Sequence, residues 1–409
     1  MMGGLRAYLD RQSRHFGPGG RLLLLRPLWE AADTFLYTPE NVTRGSAHVR
    51  DGMDLKRMMI TVVIALIPCV LWGMYNAGLQ ANLALDPAKA GELAGWRHDV
   101  MRWLGVGYSP QSVTACMAHG ALYFLPLYLV TMAVGLAWEV GFAMVRRHDV
   151  SEGFFVTGLI FPLILPPTTP LWQAAFGITW GVVIAKEAFG GTGMNFLNPA
   201  LVARACLFYS FPLQITGDKV WTAVAETYWL DGRSGATVMA TLKQGAAGAV
   251  PDIGWWNAFL GFELGSFGET SAAACLIGAA ILLWTRVAAW RTVAGVVLGT
   301  VAAASLLNGI GSDSNPMFAL PFWWHMVLGG WAFGTVFMVT DPVTSAFTDR
   351  GKWIYGTLVG VLIVLVRVFN PAYTESVMLV ILFMNVFAPL IDHFVIRANI
   401  RRRLRRSED

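Results

Sequence analysis

The chain has 409 residues, 55% of them hydrophobic and only 14% charged, with a formal net charge of +4. A mean hydropathy of +0.52 excludes an ordinary soluble globular domain. The small charge, with basic residues gathered at the ends of apolar runs, fits a membrane surface and not nucleic acid.

Apolar runs of about 20 residues recur, the length a helix needs to cross a bilayer. Lipid obliges such segments to satisfy their own backbone groups, so the fold class expected is an all-α polytopic membrane protein. Residues 1–56 do not read as a signal peptide, because Leu22 to Leu25 is too short an apolar core and arginines surround it. They read as a cytoplasmic extension lying on the membrane surface, with Trp29, Phe35 and Tyr37 at headgroup level and the basic stretch from His48 to Arg57 leading into the first span.

The first five-helix unit is expected over residues 57–212. Its spans fall at about 58–78, 118–145, a short broken one at 154–165, then 171–189 and 199–211. Arg146, Arg147 and His148 close the second span with a cytoplasmic marker, and Glu139 lies inside it. A carboxylate at that depth is a functional candidate unless it is simply paired or snorkelled. Lys186 and Glu187 read as an internal pair near the end of the fourth span. Asn198-Pro199 is a helix start, asparagine capping and proline taking the first helical position.

A polar interval, 213–256, follows on the opposite, periplasmic face. It contains Asp231-Gly232-Arg233-Ser234-Gly235-Ala236-Thr237, in which small neighbours leave the threonine hydroxyl open to a bulky group. From composition alone this is either an ordinary surface turn or an attachment site. Residues 257–396 give a second unit with spans at about 271–285, 293–307, 322–339, 353–368 and 376–396, and 397–409 form a basic cytoplasmic tail. Ten spans put every basic cluster, and both termini, on the cytoplasmic side.

Pro167-Thr168-Thr169 and Phe196-Leu197-Asn198-Pro199-Ala200 have counterparts in Pro342-Val343-Thr344 and Val368-Phe369-Asn370-Pro371-Ala372. Five spans per half make the halves inverted repeats, an arrangement that places broken helices and ligands at the interface between them. Cys69, Cys116, Cys206 and Cys275 stand singly, without zinc or iron–sulfur spacing, and read as small buried hydrophobes.

Asp-Gly-x-Ser-Gly-Ala-Thr resembles the flavinylation motif of membrane subunits in the sodium-translocating NADH:quinone oxidoreductase and the related Rnf complexes. Gly190 to Leu201, Gly268 to Ser271, Thr340 to Ser345 and Asp392-His393 are similar to further motifs of that family, so the likeness spans most of residues 50–396. The extension before Met59 resembles the B-type subunit of the sodium pump more than its Rnf counterpart. The polar lead-in from Glu226 to Leu230 is longer than the family's pattern.

The resemblance implies a urea-channel-like architecture in a bacterial inner membrane, and electrons passed to ubiquinone with sodium export. Thr237 would carry FMN through a phosphoester, with Ser234, Gly235 and Ala236 completing the motif. Asn195, Asn198 and Pro199 would border a noncovalent riboflavin, although capping alone also accounts for Asn198. Glu139, Asp341 and Asp392 would belong to a sodium pathway, with Asp341-Pro342 equally a helix cap. Gly135 and the N-terminal extension would serve the quinone. Partners would be the other members of a six-subunit complex, including a periplasmic FMN subunit and an NADH-oxidising subunit with flavin and an iron–sulfur centre. The competing readings are an Rnf-type electron carrier and a passive channel or transporter of similar fold.

Overall fold

The computed structural model describes residues 55–146, 153–245, 251–370 and 376–408, with scattered positions between 11 and 29. The surface aromatics Phe35 and Tyr37, the basic entry from His48 to Asp54, Arg147-His148 and the repeat residues Pro371-Ala372 lie outside the described residues. Among the described residues every regular element is helical apart from one isolated bridge between Leu85 and Trp229.

Five helices are long and apolar enough to cross a membrane: α1 (Leu55–Ala84), α3 (Val113–Arg146), α10 (Trp290–Ile310), α13 (Asp349–Phe369) and α14 (Val377–Glu408). Between them run shorter pieces. These are α2 (Trp96–Leu104), α4 (Phe154–Leu163), α5 (Leu171–Val183), α6 (Pro199–Ser210), α7 (Val238–Gln244), α8 (Trp255–Leu260), α9 (Ala272–Trp284), α11 (Phe322–Val327) and α12 (Trp331–Phe337). The structure is therefore a polytopic helical bundle.

Small residues let the helices meet at backbone distance, the packing lipid favours because burying apolar side chains gains little there. A Cβ on Gly78 of α1 would strike the backbone of Cys116 on α3, and one on Gly120 of α3 would strike that of Met74. The α10–α13 seam repeats the device, with Gly295 and Gly299 facing Gly356 and Gly360. α1 also packs along α9, where Cys69 and Cys275 meet.

Two differences from the sequence expectation have local causes. The single span expected over 322–339 is two short helices, because the chain turns at Leu328-Gly329-Gly330, with Gly329 at φ +62°. Residues 397–408 continue α14 as helix without a break. The short apolar helices α4 and α12 each end in a non-helical break, at Ile164–Pro170 and Met338–Thr348, before α5 and α13 begin. Pro167-Thr168-Thr169 and Pro342-Val343-Thr344 occupy those two breaks.

Candidate functional site

The polar residues gather at two places. One lies against the end of α1, the other against its beginning.

At the end of α1, the segment carrying Thr237 is clamped down by backbone pairing. Leu230 N donates to Ala84 O (2.9 Å), Asp86 N donates to Tyr228 O (2.9 Å), and Arg233 Nη1 donates to Leu83 O (2.7 Å). Thr237 is the N-cap of α7, its Oγ1 accepting from Ala240 N at 3.3 Å, while Ser234 Oγ accepts from Ala236 N at 3.2 Å. The small residues do not leave the hydroxyl open. Thr237 is only 7% exposed, and Gly235 is small because a Cβ there would collide with Asp218 O and the Trp229 ring.

Thr237 instead borders an internal recess with Glu263, Gly265, Glu269, Thr270 and Gly329. The Thr270 hydroxyl in that recess is buried without a partner, a polar atom available to a ligand. Beneath it, Arg204 of α6 and Glu269 form a buried ion pair at 2.9 Å. In the last turn of α7, Lys243 donates to Asn370 O, and burial followed by the charge of Arg367 lowers its ammonium to about 8.

At the beginning of α1 a cleft opens between the two halves of the chain. Met58, Met59 and Val62 lie on one side, Leu282 and Phe337 on another, and the polar lining includes Lys186, Thr192, Asn195, Asn198, Thr340 and Asp341. Asn198 both caps and reaches across: its Oδ1 accepts from Ala200 N (3.0 Å), and its Nδ2 donates to Asp341 Oδ2 (3.3 Å). Asp341 also caps its own turn, accepting from Val343 N and the Thr344 hydroxyl. Asn195 donates to Leu197 O, and Thr192 Oγ1 is buried without a partner.

The expected Lys186–Glu187 pair does not form. Lys186 is bonded to Glu139 of α3 with both side chains almost fully buried, whereas Glu187 turns to Arg146 at 3.1 Å. Consecutive residues in this turn point to different neighbours, so adjacency in sequence misleads. The other candidates stand apart. Asp392 on α14 accepts from Phe347 N (2.6 Å) and Thr348 N (3.0 Å), holding the turn that starts α13. Gly135 on α3 is covered by the Phe154 ring, which a Cβ would strike. The sequence motifs do not single out Lys186 and Arg204 as site residues, and Glu269 enters only as part of the Gly268–Ser271 motif; a charged residue within an apolar run is the signal that finds the first two.

A helical membrane protein with one buried polar recess near each end of its first helix is the class that fold and sites define. Residues 42–401 match the NQR2, RnfD, RnfE family, and the chain belongs to it. Over 411 residues it is 56% identical to the B subunit of the Na(+)-translocating NADH-quinone reductase of Pseudomonas paraeruginosa, covering 99% of this chain and 100% of that one. The B subunits of the same reductase from Azotobacter vinelandii (55%, covering 98% and 99%) and Klebsiella pneumoniae subsp. pneumoniae (53%, covering 99% and 100%) are similar along their whole lengths. The likeness read from the motifs at 190–201, 231–237 and 268–271 is thus to this family and to its B-type members.

Proposed function

We propose that this chain is the B-type membrane subunit of a sodium-translocating NADH:quinone reductase, carrying FMN on Thr237 and a riboflavin in the Asn195–Asn198 cleft. The observation that supports the reading is the disposition of the two polar sites: the loop leading to Thr237 is bonded to the end of α1, and the cleft lies against its start. With the N-terminus cytoplasmic, the first faces the periplasm and the second the cytoplasm, and the repeat reading makes the two helix breaks inverted counterparts. The full-length relatives' name supports the activity.

The polar groups of the cleft and the Thr237 hydroxyl are of the right chemistry for the two groups. Around the cleft, Thr192 supplies an unengaged hydroxyl and the two asparagines supply neutral donors and acceptors suited to the polar edge of an isoalloxazine ring. At Thr237 the hydroxyl only accepts, from Ala240 N, so a phosphoester at Oγ1 removes no bond that Thr237 donates. Bound flavins supply reversible one- and two-electron transfer. The chain's own work is to fix Thr237 by clamping its loop to α1, to hold Asn198 by capping α6, and to keep water from the apolar layer between, where Phe333 and Phe337 pack with centroids 5.0 Å apart.

Electrons would pass to ubiquinone near Gly135, with Glu139, Asp341 and Asp392 serving sodium. The other subunits, among them the periplasmic FMN subunit and the NADH-oxidising flavin/iron–sulfur subunit, would complete the path. The test is mass analysis of the tryptic peptide ending at Lys243 from a host that makes the flavin transferase: the expected result is a mass increase of one FMN less water, located on Thr237. An unmodified peptide overturns the electron-carrier reading and leaves a helical channel.

A further inference from the structure

Thr237 is held from two directions. The segment leading to it is fastened to α1: Leu230 N donates to Ala84 O and Asp86 N to Tyr228 O, which pairs Leu85 with Trp229 in antiparallel fashion. Arg233 adds bonds to Leu83 O (2.7 Å) and Gln80 Oε1 (3.4 Å) from its two terminal nitrogens. Trp229 is itself pinned, its Nε1 donating to Val224 O at 2.8 Å, and its ring closes on Gly235 together with Asp218 O. In the other direction Thr237 meets Glu263, Gly265, Glu269 and Thr270 of the 261–271 linker and Gly329. The hydroxyl is buried and turned to Ala240 N.

Attachment of FMN makes a demand on that hydroxyl. From FAD, in which FMN is joined to AMP through a phosphoanhydride, a P–O bond forms between Thr237 Oγ1 and the FMN phosphorus. The bond from that phosphorus to the AMP oxygen breaks, AMP leaves with the electron pair, and the hydroxyl proton goes to a base of the transferase. Attacking and leaving oxygens stand roughly in line through phosphorus, so the whole donor has to lie in front of Oγ1. The clamped loop leaves no such line open, with Trp229 and Asp218 packed on one side and the 261–271 linker on the other.

We infer that the segment from Tyr228 to Thr237 has to be lifted from α1 for the flavin to be attached, so that the clamped loop is not what the transferase reads. The inference rests on Thr237 being the FMN residue. The segment is suited to opening: Leu230, Asp231, Gly232 and Ser234 are exposed and the contacts to α1 are individual hydrogen bonds, so it can leave without disturbing the helices.

The clamp can be locked without touching residues 231–237. The bonds on either side of Leu85 and Trp229 make them the narrow kind of antiparallel pair, with Cα atoms about 4.5 Å apart, a separation that a disulfide spans. The full Leu85→Cys/Trp229→Cys chain, made without the transferase, is oxidised or reduced, then given transferase and FAD, and the covalent flavin is followed on a denaturing gel. Only the opened population reacts, so the reduced form is expected to take up flavin roughly tenfold faster or more, with reduction of the oxidised form restoring uptake. Both forms lack the Trp229 ring, so its loss cancels in the comparison.

Equal rates with the cross-link verified overturn the inference and leave Thr237 as the attachment residue. Should the native chain take up no flavin afterwards, yet carry it when made alongside the transferase, the clamped loop is excluded as substrate, as inferred. No flavin on Thr237 under either condition overturns the reading of Thr237 and the inference together. If the double variant does not assemble, Thr237→Cys is expected to react with a bulky maleimide roughly tenfold more slowly than Asp231→Cys, and Arg233→Gln to speed it. Labelling as fast as Asp231→Cys, or unmoved by Arg233→Gln, overturns the inference.

Discussion

The sulfur atoms of Cys69 on α1 and Cys275 on α9 lie 3.8 Å apart, both buried, where the two halves of the chain meet. The pair reports on that junction directly. A membrane-permeant thiol oxidant is expected to join them, so that a chain then cut within 246–250 stays in one piece on a non-reducing gel and separates on a reducing one. Cys69→Ala is expected to abolish the joining, and separation without reductant in the native chain would show that the helices do not meet there.

Thr237→Ala is expected to remove the covalent flavin, seen as loss of the fluorescent band on a denaturing gel. It also removes an N-cap, a change typically worth about 1 kcal/mol. Thr237→Ser keeps cap and hydroxyl, so its α7 should remain as protected from proteolysis as the native one. Retention of fluorescence in Thr237→Ala places the attachment elsewhere.

Gly135→Val is expected to push the Phe154 ring away from α3, because a Cβ at that position already collides with it. If that region serves the quinone, quinone reduction falls at least tenfold while the flavin content and the oxidation of NADH by artificial acceptors persist. Equal loss of all three would mark Gly135 as a packing residue only.

Arg204→Met is expected to leave Glu269 as an uncompensated buried charge, a defect of about 3–5 kcal/mol when one member of such a pair is removed. The amount of chain recovered from membranes should drop sharply. Arg204→Met combined with Glu269→Gln should recover most of it, and failure of that rescue would show that Arg204 has a role beyond the pair.

His98 on α2 meets the Tyr108 hydroxyl at 3.0 Å, and burial, then the charges of Arg102 and Arg97, lower its pKa below the ordinary histidine value, with Asp99 opposing. The unfolded segment therefore takes up a proton first as pH falls. The contribution of His98 is full above about pH 6.5 and is lost as pH drops from there through the lowered value. Hydrogen exchange over 96–112, corrected for the intrinsic rate, is expected to quicken as pH falls below about 6.5, and His98→Gln is expected to flatten that response. A pH-independent native exchange rate would remove His98 as the cause.

Much of this architecture is legible in the sequence because lipid makes the rules strict. Apolar length locates α1, α3, α10, α13 and α14, and Asn198-Pro199 announces the start of α6, where Asn198 does accept from Ala200 N and Leu201 N. What stays hidden depends on contacts between distant residues. Lys186 finds Glu139, 47 positions away, rather than Glu187 beside it, and Arg204 finds Glu269, 65 positions away. The burial of Thr237 follows from Asp218 and Trp229 closing over Gly235, which no local pattern announces. The break within 322–339 is concealed by an unbroken apolar composition in which Gly329 and Gly330 look like ordinary membrane glycines.

The closing helix, α14, runs for 32 residues, about 48 Å at 1.5 Å per residue, against roughly 30 Å of hydrocarbon. Its last turns, bearing Arg397, Arg401, Arg402, Arg403, Arg405 and Arg406, are exposed and form a basic mast longer than the oily layer needs, with Asp392 near its foot. Such a mast cannot sink without dragging guanidinium groups into hydrocarbon, which limits how deep this end of α14 can sit.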